Sequence, residues 1–141
     1  MTFYLDTSWL VAFLTREQKT ASVQRWLRER ATDTPAVSDW AITEFSAALS
    51  LKVRTRQITA RDRVDALAVF GRFVEESFAL LPISGVEFRT AARFADRYEL
   101  GLRAGDALHL AVCADHGATL CTLDRRLGKA GPSLGVKTIL L

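Results

Sequence analysis

The chain has 141 residues, 49% of them hydrophobic and 25% charged, the proportions of one globular domain with a single core and no linker. Nineteen Lys and Arg against sixteen Asp and Glu leave a net charge of +3, mildly basic and far from a histone-like excess. No run approaches the about 20 apolar residues needed to span a bilayer, and the N-terminus lacks the basic leader of a signal peptide, so a cytoplasmic location without membrane contact is expected.

In chain order the pattern alternates strand and helix. Thr2 to Asp6 is short, aromatic and apolar and reads as a buried strand, with Thr7 and Ser8 as capping hydroxyls for a helix through Leu14. A helix over 18–30 places Val23, Trp26 and Leu27 on one face, and 35–38 is a strand candidate leading into a helix over 40–54. Thr59 caps the longest helix, 60–77, whose Val64, Leu67, Phe70 and Val74, with Phe78 just beyond, recur every three or four residues. Residues 79–83 form a third strand candidate. Ser84-Gly85-Val86-Glu87 then reads as a capping box, with Phe88, Ala91, Ala95 and Tyr98 expected on the core face of the next helix. The segment after Asp106 is apolar nearly all round and should be among the most buried; Gly117 ends it. Strands over 118–123 and 136–141 complete the chain. Such alternation implies an α/β fold, with a mostly parallel sheet covered by helices on both faces. The two cysteines, Cys113 and Cys121, lie in apolar patterns without zinc-type spacing and read as free buried thiols.

Four acids, Asp6, Glu44, Asp106 and Asp124, sit in segments that otherwise read as core. A carboxylate beside buried surface is costly unless paired, hydrogen-bonded or bound to a cation. Ligands of an open α/β sheet bind outside the carboxyl ends of the strands. Asp6 and Asp124 end or follow strands, Asp106 starts a helix facing that edge, and Glu44 lies one turn into a helix among the small residues Ala41, Ala47 and Ala48. Convergence of the four would cost about 4 kcal/mol for each pair 4 Å apart at an effective dielectric of 20. A shared Mg²⁺ or Mn²⁺ removes that conflict and supports in-line phosphoryl chemistry. Taken singly, each acid also has a structural reading. Asp6 could start a turn, Asp106 could cap a helix, Asp124 could pair with Arg125 or Arg126, and Glu44 could face solvent. His109, on the face of Asp106, reads as an assistant to the acids or as a hydrogen-bonded packing histidine. Three basic groups, Arg25/Arg28/Arg30, Lys52/Arg54/Arg56/Arg61/Arg63 and Arg125/Arg126/Lys129, suit a polyanionic substrate or form solvated helix faces.

Leu5-Asp6-Thr7-Ser8, Glu44 in its small-residue helix, Gly105-Asp106-Ala107-Leu108-His109-Leu110-Ala111 and Thr122-Leu123-Asp124-Arg125-Arg126-Leu127 together resemble PIN-domain ribonucleases, most closely the VapC-like toxins of type II toxin–antitoxin pairs. The resemblance spans essentially the whole chain. It implies a five-stranded, three-layer α/β/α sandwich, Mg²⁺-dependent RNA cleavage, a homodimer and a small cognate antitoxin. By carry-over, Asp6 and Asp106 would be metal ligands, Glu44 and Asp124 would complete the catalytic site, and Thr122 would support them. A partner would block the acids with an inserted Arg or Lys and lay a helix against Trp9, Phe13 or Trp26. The rivals fit less well. A phospho-receiver domain needs an acid after the third strand, where Pro82-Ile83-Ser84 stands, and a haloacid-dehalogenase-like phosphatase needs an acid where Ser8 stands. A PIN nuclease of RNA processing, without an antitoxin, is the remaining alternative.

Overall fold

Alternation of side chains along one short strand sets the layering. In β1 (Thr2–Leu5), Phe3 and Leu5 enter one apolar cluster while Tyr4 enters another on the opposite face of the sheet. The structure, a computed structural model, describes residues 1–141. Four further strands, β2 (Thr34–Ser38), β3 (Ala79–Leu81), β4 (Thr119–Thr122) and β5 (Thr138–Leu140), join β1 in a five-stranded sheet of order β3-β2-β1-β4-β5. Every pairing is parallel: Phe3 stands beside Pro35 on one side and Thr119 on the other. Central strands buried on both faces explain the near-continuous apolar runs of β1 and β4.

On one face lie α1 (Thr7–Leu14), α2 (Thr20–Arg28), α3 (Asp39–Arg54) and α4 (Ala60–Glu76). Trp9, Trp26, Phe45, Leu49 and Phe70 fill the space between them and the sheet, with Phe45 and Phe70 meeting edge to face at 4.6 Å. The other face carries α5 (Gly85–Ala95), α6 (Ala104–His116) and α7 (Arg125–Ser133), which bury Leu110, Val112, Leu127 and Ala130 against Tyr4 and Leu120. The result is the expected three-layer α/β/α sandwich. α6 is buried without interruption from Ala107 to Cys113, as its all-round apolarity implies. Both thiols are buried, and burial pushes that of Cys121 up to about 12, which leaves it unreactive. No helix is long and apolar enough to cross a membrane.

Four expectations need correction. Phe88 is 58% exposed, Tyr98 is 89% exposed and Ala95 also faces solvent; the inner face of α5 is instead Glu87, Thr90 and Ala91. The capping box fixes this phase, because Glu87 turns inward to accept from Ser84 N and Ser84 Oγ, which rotates Phe88 outward. The helix also stops at Ala95, so Tyr98 lies in a separate 3-10 turn. Val64 is exposed, and Ala66 takes the inner position of that turn of α4. α7 was not anticipated, since its sequence RRLGKAGPS holds two glycines and a proline. Its start is fixed by Asp124, whose Oδ1 accepts from Arg126 N and Leu127 N, and Pro132 occurs only in its last turn. Finally, Trp9 and Trp26 are core residues and line no groove, Trp9 being wholly inaccessible.

The aromatic contact between α3 and α4 gives a test. Phe45→Ala should cost roughly 3–5 kcal/mol of folding free energy, read from denaturant unfolding, whereas a loss below about 1 kcal/mol would show that this face of the core is not close-packed.

Candidate active site

β1 has β2 on one side and β4 on the other, and the chain crosses from the first face to the second between β3 and β4. The crevice outside the carboxyl ends of β1 and β4 is therefore the topological switch point, the usual ligand site of such a sheet. Asp6 immediately follows β1, and Asp124 lies two residues past β4.

Asp6 is only 3% exposed. It caps α1: Oδ1 accepts from Trp9 N at 2.9 Å and from Ser8 Oγ at 2.7 Å, and Oδ2 accepts from Thr122 Oγ1 at 2.5 Å. Thr122 Oγ1 in turn accepts from Asp124 N at 3.0 Å, so one hydroxyl ties the two acid-bearing turns together. Ser8 Oγ repeats the device by accepting from Leu123 N at 3.0 Å. Burial pushes the Asp6 carboxyl above the ordinary Asp range, and the nearby His109 ring together with the hydrogen bonds from Thr122, Ser8 and Trp9 N offsets this only in part.

Glu44, in α3, is anchored through one oxygen. Oε1 accepts from Thr7 Oγ1 at 2.7 Å and lies 2.5 Å from His109 Nε2. Burial opposes its charge, but the His109 and Thr7 bonds outweigh burial and hold its pKa below the ordinary Glu value. Behind His109 stand Tyr4, whose Oη is 2.8 Å from Nδ1, and Ser38, whose Oγ is 2.6 Å from that Oη. Glu44 Oε2 passes over Gly105 at the start of α6. A Cβ at Gly105 would sit 2.8 Å from Oε2 and 3.2 Å from the Trp40 ring, so that position has no room for a side chain. Asp106 follows as the third residue of α6 and accepts from Arg103 N at 3.1 Å, which places its charge at the favourable end of the helix dipole.

All four acids thus lie at the carboxyl edge of the sheet, in two linked parts. Asp6 and Asp124 are joined through Thr122, while Glu44 is held against α6 beside Gly105 and Asp106. They do not form one cluster, since no three His, Cys, Asp or Glu side chains gather at metal-ligand spacing. His109 is neither a surface group nor mere filler: at 3% exposure it links the core tyrosine to Glu44. Thr7, Ser8, Tyr4, Ser38 and Gly105 were not identified from sequence as parts of the site. Thr7 and Ser8 had read as caps and Tyr4 as core, although Thr7, Ser8 and Gly105 stood within the motifs that carry the family resemblance.

The sequence profile of the PIN domain matches residues 3–131. The chain belongs to the PIN-domain family. Solved structures agree in fold. Mycobacterium tuberculosis VapC20, described as a sarcin-ricin loop cleaving toxin, is 20% identical with a TM-score of 0.73, over 92% of this chain and 95% of that one. A chain of VapBC2 from Rickettsia felis, bound to a DNA fragment from its promoter, is 15% identical with a TM-score of 0.71 over 100% and 99% of the two chains. DNA-bound VapBC from Salmonella typhimurium is 14% identical with a TM-score of 0.72 over 99% and 97%. No curated protein matches the chain in sequence.

PIN domains imply a divalent cation, and the donor set here fits one. Asp6, Asp106 and Asp124 take part in none of the chain's ion pairs, so their charges are left without a Lys or Arg counterpart. An ion such as Mg²⁺ is bound through one or two carboxylates and keeps waters for the rest of its shell, so it does not require a cluster of three protein ligands.

Asp6 gives a signed prediction. With a raised pKa its charge is a folding cost at neutral pH, lost as pH falls through the raised value and gone below the ordinary Asp value. Metal-free Asp6→Asn should therefore unfold at a temperature equal to or above that of wild type at neutral pH, and this advantage should vanish in acid. A variant less stable than wild type at neutral pH, or an advantage that grows on acidification, would contradict the assignment.

Proposed function

We propose that this chain is a Mg²⁺-dependent ribonuclease (with Mn²⁺ as a substitute) and acts in the cytoplasm as the toxin of a type II toxin–antitoxin pair. The observation that carries the reading is a set of carboxylates without cationic partners at the switch point of a PIN fold. Asp6 and Asp106 would hold the ion, which supplies Lewis-acid activation of water and charge neutralisation at phosphorus. Ser8, Thr122 and the Trp9 amide keep Asp6 rigid for that task. Glu44 presents Oε2, free of protein partners, to take up the proton that water loses as it attacks phosphorus. Asp124 closes the far side, with Arg125 and Arg126 beside it to receive RNA phosphates.

The toxin reading rests on the VapC and VapBC proteins among the similar folds and on a surface suited to a partner helix. Between α1 and α4 runs a groove of about 840 Å³, with Phe13, Leu14, Ile58 and Phe73 along it and Asp62 and Asp65 on its margin. An amphipathic antitoxin helix would lay its apolar face there, and an Arg or Lys beyond it would reach the carboxylates. The chain is expected to act as a homodimer.

Purified protein should cleave RNA with Mg²⁺ or Mn²⁺ and stop with EDTA, and Asp106→Asn should lower the rate by orders of magnitude without unfolding the domain. Undiminished cleavage in chelator would sink the metal mechanism. In cells, expression of the wild-type chain alone should arrest growth, Asp6→Asn should not, and a small protein encoded beside it should restore growth. Normal growth with abundant folded wild-type protein would leave an RNA-processing PIN nuclease as the better account.

A further inference from the structure

The hydrogen bonds behind Glu44 can be followed proton by proton. Ser38 closes β2, Tyr4 lies in β1 and His109 in α6, and all three are buried. The contacts run Ser38 Oγ to Tyr4 Oη at 2.6 Å, Tyr4 Oη to His109 Nδ1 at 2.8 Å and His109 Nε2 to Glu44 Oε1 at 2.5 Å. Both ends are fixed. At the first, the Ala41 amide donates to Ser38 Oγ at 3.3 Å. At the other, Glu44 Oε1 already accepts from Thr7 Oγ1 at 2.7 Å, so the oxygen that faces His109 Nε2 is an acceptor.

Each hydroxyl has one proton to place. That of Ser38 has a single acceptor within reach, Tyr4 Oη. Tyr4 must then donate to His109 Nδ1, so Nδ1 carries no hydrogen and the ring proton sits on Nε2, facing Glu44. Running the chain the other way leaves the Ser38 proton without a protein acceptor, the costly outcome for a buried donor.

We propose that Tyr4, backed by Ser38, is a positioning residue: it locks His109 as the neutral Nε2–H tautomer, and His109 with Thr7 then pins Glu44 Oε1 so that Oε2 is held over Gly105 at the start of α6. Gly105 is part of the device, because any side chain there would displace Oε2. The tautomer follows from the hydrogen bonds alone, while its consequence for catalysis rests on the ribonuclease reading.

The first arm of the test needs no activity. In ¹⁵N-histidine NMR spectra of the metal-free wild-type chain at neutral pH, His109 should show an unprotonated, pyridine-type Nδ1 and a protonated, pyrrole-type Nε2. Tyr4→Phe, which removes the donor to Nδ1 and leaves Glu44 in place, should keep Nε2 protonated but move the Nδ1 resonance towards that of an unbonded pyridine-type nitrogen, with His116 unchanged. A protonated Nδ1 in the wild type overturns the proposal. In the second arm, Tyr4→Phe should lower kcat roughly 10- to 100-fold with KM nearly constant, the usual effect of removing a group that orients a site ligand. His109→Gln, which retains an N–H donor towards Glu44, should keep more turnover than His109→Leu. Should Tyr4→Phe fold poorly, the double variant with Ser38→Ala removes the stranded hydroxyl and carries the same expectation. A folded Tyr4 variant as fast as an active wild type overturns the relay. A wild-type chain that cleaves no RNA sinks the nuclease reading and with it the catalytic role, while the spectra still decide the tautomer.

Discussion

The desolvated carboxylate of Asp6, wedged between the ends of β1 and β4, is the constraint to which the rest of the site answers. Three donors serve its two oxygens, and none of them is cationic. Each donor belongs to a different purpose: the Trp9 amide starts a helix, Ser8 also accepts from Leu123, and Thr122 also accepts from Asp124. Neutral dipoles of this kind hold a carboxylate in place without cancelling its charge. The surplus negative charge is thus built into the fold, and a mobile cation is the natural means of relieving it.

α6 reconciles two demands that normally conflict. Its body is among the most buried segments of the chain, with small residues Ala107 and Ala111 packed where α5 contributes Ala91. Its first turn nevertheless carries Asp106, and its interior carries His109. The histidine is tolerated because both ring nitrogens are satisfied, one by Tyr4 and one by Glu44. The close approach at Gly105 lets α3 and α6 bring Glu44 and Asp106 to the same edge without a bulky side chain between them.

Much of this was legible in the sequence. Asp6, Glu44, Asp106 and Asp124 stood out because acids interrupt apolar runs, and alternation of strand and helix sent all four to one edge. What stayed hidden depended on contacts between distant segments. Tyr4 reads as one more aromatic in a core strand, and only the folded chain shows its hydroxyl between Ser38 and His109. α7 runs against its own propensities and forms because Leu127, Gly128, Ala130 and Gly131 pack on β4 and β5. The phase of α5 was misjudged because hydrophobicity favoured Phe88, while the inward pull of the Glu87 capping bonds decided the rotation.

The sheet has no hairpin: each strand pairs with a parallel neighbour reached only through helices. The Asp6–Thr122 bond joins residues 116 positions apart. During synthesis β1 emerges first, yet one of its two edges stays open until β4 has left the ribosome. Asp6 and Asp124 therefore cannot be joined on a nascent chain that has not yet reached β4, whatever else has folded. Whatever needs both acids is withheld until β4 has been translated, a delay set by topology alone and requiring no inhibitor.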